Sequence, residues 1–336
     1  MECVFCTLFD SNYLDKGLTL YRSMESLLED FRLYVFAFDD LCYDILTKEK
    51  FKYLIPVSLQ EFETDELRKV KLERTQAEYC WTCSPWIIKY VLEHYRESIC
   101  TYIDADMQFF SSPQAVFDDM RKTHASVLIV PHRFRTPKEE QRARDRVGSY
   151  CVEFNTFVND DRGKKALDWW ADKCLEWCFY AVPGTTEWYG DQKYLNVFPD
   201  QFDGVRICGH WGVGLAPWNI GLVEFAGENN GIPHIRTVNT GEIFPLVIYH
   251  FENVSFLTHH ILHASSGTKS KELYQSIYEP YIVNLLGNRQ YIEEKYNIKL
   301  SRNRRVITKN PLLKFFQMFI SPFLRVKHIH DLYWVE

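Results

Sequence analysis

Short apolar runs, several of them closed by an aspartate, separated by segments of helical spacing, constrain this 336-residue chain more than any other feature. Residues 3–9 form one such run, closed by Asp10, and Tyr13 to Leu28 then carries apolar residues at helical spacing. Leu33 to Phe38 is a second run, closed by Asp39 and Asp40, and Tyr53 to Leu59 is a third. Glu78 to Tyr95 reads as a helix bent at Pro85, where proline removes a backbone donor. Ile99 to Ile103 is a strand that delivers Asp104 at its carboxyl end, and Ser126–Pro131, Cys151–Val158 and Leu246–Phe251 are further strands. A second long helix is expected over Gly163–Cys178. Strands alternating with helices through the first 130 residues predict an α/β fold with a mixed, mostly parallel central sheet. Ligands of such sheets bind beyond the carboxyl ends of the strands.

Hydrophobic residues make up 46% of the chain, enough for one large core. The start lacks a basic segment followed by an apolar one, and no stretch reaches the ~18 to 20 apolar residues that cross a bilayer, so a cytoplasmic protein is expected. Ten cysteines then read as free thiols. Cys80 with Cys83, and Cys174 with Cys178, sit in helix-like stretches without the turn residues of a zinc knuckle. The net charge of −6 is unevenly spread. Residues 295–336 carry nine basic and two acidic side chains, a net +7, which leaves −13 on residues 1–294. An acidic body argues against nucleic acid as a partner. The division expected is a catalytic domain over 1–265 and a helical C-terminal extension over 266–336 with a basic, aromatic tail. Within that tail Pro311–Arg325 combines bulky apolar residues with flanking cations, the composition of an anchor on an anionic membrane surface or of a helix docked on the body.

Asp104-Ala105-Asp106 lies where a strand leaves its sheet, so both carboxylates can turn toward one hard cation; the bland alternative is a solvated strand end. His250 ends another apolar strand, either as a core histidine or as a third ligand of a manganese-type site. Asp191 and Gln192 either cap a helix or present a carboxylate and an amide to a sugar ring. Arg133 to Gly148 is dense in charge, as solvated surface or as a lid beside the site. Twenty tyrosines and nine tryptophans suit the flat faces of sugars and bases, or a core of large rings.

Together these residues resemble glycosyltransferase family 8 of the GT-A nucleotide-diphospho-sugar transferases, over residues 3–260. The resemblance rests on Asp104 and Asp106 after an apolar strand, Asn155 in Glu153-Phe154-Asn155-Thr156-Phe157, Asp191-Gln192 with Leu195-Asn196, and the late His250. The pattern looks closer still to bacterial transferases of surface-polysaccharide synthesis. It implies a single Rossmann-like GT-A domain and Mn2+ or Mg2+ held by Asp104, Asp106 and His250. A nucleotide-sugar donor, a UDP-sugar favoured, would lie on Thr7, Phe9, Tyr13, Asp39, Arg74 and the Asp104-Ala105-Asp106 turn. Asp191, Gln192 and Asn155 would serve catalysis, with His132 and Trp218 toward the acceptor. A glycan acceptor and retention of anomeric configuration follow from the same resemblance, while the basic tail suggests a place at the inner face of the cell membrane, which a lipid-linked glycan acceptor would explain. The chain departs from the family after His250, where Phe251-Glu252-Asn253 lacks the lysine that holds the diphosphate. By charge, Arg74 or Arg133 is the substitute, and Lys16 reads as a helix-surface residue. Two other readings are a phosphatase of the haloacid-dehalogenase type, with Asp160-Asp161 as its later acids, and a nucleotide-sugar-binding protein without catalysis.

Overall fold

The computed structural model describes residues 3–180, 187–252, 254–258, 261–264, 266–300 and 332–334. Seven strands form its main sheet: β1 (Val4–Phe9), β2 (Arg32–Ala37), β3 (Leu54–Ser58), β4 (Ile99–Ile103), β6 (Val127–Pro131), β7 (Tyr150–Val158) and β8 (Val205–Ile207), while β5 (Met107–Phe109) leaves to pair elsewhere. The order is β3-β2-β1-β4-β7-β6-β8, and only β7 runs against the others. The expected mixed, mostly parallel sheet is therefore present. All six residues of β1 are buried, as a strand covered on both faces requires.

Helices Leu14–Leu27 and Gln114–Lys122 cover one face, packing Leu18, Tyr21, Met24, Phe117 and Met120 on Phe5, Ile103 and Phe154. Helices Gln76–His94 and Asp161–Glu176 cover the other, with Ile87, Val91 and Trp170 on Cys6, Cys100 and Phe157. The first of these starts two residues before the predicted Glu78, because Thr75 and Glu78 form a reciprocal capping box. All ten cysteines are free; Cys80, Cys83 and Cys174 lie within helices, and Cys178 just beyond one.

The C-terminal third adds β9 (Val223–Asn229), β10 (Ile232–Thr237) and β11 (Ile243–Pro245) as an antiparallel sheet. β12 (Ile248–His250) pairs with β5, while β13 (Val254–Thr258), β14 (Ile261–Ala264) and β15 (Leu332–Trp334) form a third group. Of the run predicted as a strand over Leu246–Phe251, Ile248–His250 forms β12, and β11 lies just before it. Beyond residue 265 the chain forms helix Glu279–Tyr296, which packs into the body. Tyr281 stacks on Phe251 with ring centroids 3.6 Å apart, and the Tyr278 and Tyr249 hydroxyls lie 3.1 Å apart. The proposed anchor Pro311–Arg325 lies outside the described residues. Among those described, no helix is long and apolar enough to cross a membrane.

Candidate active site

At the carboxyl end of β4 the chain turns through Asp104-Ala105-Asp106 directly into β5. β5 pairs antiparallel with β12, and the register places Met107 opposite His250. The Phe251 N–H donates to Asp106 O (2.8 Å), tying the turn to the end of β12. Residues about 145 positions apart thus meet. His250 Nε2 is 3.1 Å from Asp106 Oδ1 and 3.7 Å from Asp104 Oδ2. Its Nδ1 is 2.9 Å from Glu153 Oε2 on β7. A carboxylate behind a histidine fixes which ring nitrogen faces forward. Glu153 escaped the sequence reading, although an acid inside the apolar run Cys151–Phe157 was a signal.

Lys16 was misplaced as a surface residue. Its side chain is 9% exposed and its Nζ lies 3.3 Å from Asp106 Oδ2, with the Tyr13 ring 4.3 Å away. Gly17 permits this approach: a Cβ there would stand 2.3 Å from the Phe9 ring, so only glycine lets the first helical turn settle on the end of β1.

Charge sets the acids apart. Burial pushes Asp104 up to about 7, with His250 opposing and Asp106 adding. Burial also acts on Asp106, but Lys16 and His250 outweigh it and hold that carboxyl well below the usual range. For His250, burial disfavours the charged ring, and Asp106 and Glu153 more than compensate, so the imidazole titrates well above its ordinary value. Asp191 is pushed up to about 7, by burial first, with the Ser84 hydroxyl opposing and Asp104 adding. Tyr102 donates to Asp104 Oδ1 (2.8 Å), another contact that sequence reasoning missed.

The remaining candidates divide. Trp218 meets His250 edge-on with ring centroids 5.6 Å apart, and His132 lies 5.9 Å from Trp218. Trp218 is 39% exposed, and Asn219 holds its loop by donating to His132 O and Gly214 O. Asp39 spends both oxygens on structure, accepting from Cys42 N as a helix cap and from Ser11 N and Oγ. The Phe9 side chain is core rather than a platform for a base. Thr7 and Asn155 are fully buried, with Thr7 Oγ1 and both Asn155 amide atoms unpartnered among the described residues. Gln192 donates to Val147 O (2.8 Å), at the end of helix Pro137–Arg146, which forms most of the charged segment. Neither arginine pairs with Asp104 or Asp106 among the described residues, although Arg133 lies close enough to Glu153 to act on its charge. Arg74 donates to Thr82 Oγ1 and Leu175 O, and Arg133 donates to the carbonyls of Val213, Cys208 and His210. Asp160 caps helix Asp161–Glu176 and accepts from Ser126, so it is not a second acid of the site.

Among solved structures, a galactosyltransferase, LgtC, in complex with donor and acceptor sugar analogs, matches 84% of this chain and 95% of its own at a TM-score of 0.50 and 11% identity. The fold is GT-A. Two uncharacterised Bacillus subtilis proteins, YfnF and YfnD, are 28% and 29% identical to the chain. The alignments cover 88% and 86% of this chain and 97% and 90% of theirs. No protein-family model matches.

Proposed function

We propose that the chain is a metal-dependent glycosyltransferase that moves a sugar from a nucleotide-diphosphate donor, a UDP-sugar favoured, to a glycan or lipid-linked glycan in surface-polysaccharide synthesis. The observation that carries this reading is the convergence of Asp104, Asp106 and His250 at the carboxyl end of β4 in a GT-A sheet. Two carboxylates and an imidazole suit Mn2+ or Mg2+. Among the described residues no trio stands in finished ligand geometry. His250 Nε2 faces both carboxylates, and Asp104, Asp106 and His250 are the residues that would hold the cation. A bound metal would neutralise charge on the departing diphosphate.

In the transfer, the bond between sugar C1 and the phosphate oxygen breaks, and its electron pair leaves with the diphosphate. The acceptor hydroxyl oxygen bonds to C1, and its proton passes to the oxygen of the departing diphosphate. Glu153 keeps His250 turned toward the carboxylates, and the half-exposed Trp218 ring offers a flat apolar face to a sugar. Asp191, 4% exposed and bonded to Ser84, is not open to an acceptor hydroxyl as an inverting base would be, which supports retention. The basic tail is assigned to an anionic membrane surface, where a lipid-linked acceptor would be presented.

The test is a panel of nucleotide sugars with Mn2+, scored by thermal shift and by donor hydrolysis. One donor should stabilise and be hydrolysed, and Asp106→Asn should lose about 10²–10³-fold of that turnover. No response to any donor, with or without metal, overturns the reading.

A further inference from the structure

Lys16 has a larger part than balancing one carboxylate. We infer that Lys16 is the side chain that grips the donor's diphosphate, an inference that rests on the function proposed above. An ammonium has three protons to donate, and among the described residues Lys16 Nζ has one hydrogen-bond acceptor, Asp106 Oδ2 at 3.3 Å. Its other neighbour is the face of Tyr13, 4.3 Å away. The remaining donors are available to an anion beside Asp106, where a diphosphate would lie if Asp104, Asp106 and His250 hold the cation.

The charge around it points the same way. Asp104, Asp106, Glu153 and Asp191 face or adjoin the site, against Lys16 and His250, with Arg133 close enough to Glu153 to act on it. This acidic surplus suits a cation, and the anion that follows the cation then needs a positive group of the protein. Arg74 and Arg133 are bound to a hydroxyl and to carbonyls elsewhere. Lys16 lies in the first turn of a helix that leaves the carboxyl end of β1, and Gly17 presses that turn onto Phe9. A lysine here acts as a point charge on phosphate.

The test compares nucleoside diphosphates with monophosphates. Binding of UDP, GDP, UMP and GMP is measured by calorimetry with Mn2+ on the wild type, Lys16→Met and Lys16→Arg. The inference expects Lys16→Met to weaken the diphosphate that the wild type binds by at least about tenfold, with its monophosphate changed less than about twofold, and Lys16→Arg to recover most of the loss. Should Lys16→Met not fold, Lys16→Gln, which can still donate to Asp106, replaces it. Equal weakening of diphosphate and monophosphate, or a change in Mn2+ affinity alone, would overturn the inference and leave Lys16 as a counter-charge of Asp106. If the wild type binds Mn2+ and no nucleotide, the donor reading and this inference both fall.

Discussion

Helix Leu14–Leu27 carries two consecutive buried charges that face opposite ways, and the two sides of that helix differ instructively. On one side Asp15 accepts from Arg289 Nη1 at 2.8 Å, and Arg289 also donates to Leu300 O and lies 3.3 Å from Glu293, which in turn pairs with Lys299. Among the described residues two acids meet two bases, and each acid pairs with Arg289. On the other side Lys16 and His250 meet three acids, Asp104, Asp106 and Glu153. A buried ion pair that is fully answered serves to fix two helices together. One left with surplus charge of one sign is a place for a ligand.

The first way to break this comparison is Arg289→Met. Leaving Asp15 buried and unpaired should cost about 3–5 kcal/mol in urea unfolding, and the double variant with Asp15→Asn should recover most of it. If the single variant is as stable as the wild type, the closed side is not a structural clamp. On the open side, pH sharpens the contrast. Asp191 has a folded pKa raised from 3.8 to about 7, so the folded state binds its proton more tightly than the unfolded chain does. Its contribution to stability is complete below about 4 and is lost as pH rises toward 7. Asp104, also raised to about 7, titrates over the same window. Each of the two acids should therefore contribute up to about 1.4 kcal/mol per pH unit to the loss in metal-free protein, and Asp191→Asn should remove its own share of the slope. An unchanged slope in the variant would count against a buried, protonated Asp191. The smallest effect is expected at Thr19, whose hydroxyl accepts from Asn288 (2.9 Å) and donates to Asp15 O (2.7 Å). Thr19→Val should cost about 1 kcal/mol in thermal unfolding with donor affinity unchanged; a loss of donor binding would mean that the two sides are coupled.

Much of the fold was legible because strand and helix periods survive in the residues themselves. The apolar runs at residues 3–9 and Ile99–Ile103 are buried strands, and the aspartates after them stand at the carboxyl edge where the sheet opens. The site was less legible. Asp104 and Asp106 were visible as a pair on one turn, and His250 as a histidine at a strand end. Asp39 also looked like a ligand residue at a strand end, yet it caps a helix and holds Ser11. A carboxylate after a strand serves either purpose, and only its neighbours tell which.

By itself the sequence determined the alternating α/β order, the acidic edge and the unequal charge of body and tail, since each depends on residues close along the chain. Only the tertiary structure decided that β7 runs backward, that Glu153 stands behind His250, and that Lys16 turns inward while Asp15 turns away. Those outcomes depend on strand register and on helix rotation over Gly17. Both are set by packing between segments far apart in sequence, where no local pattern records them.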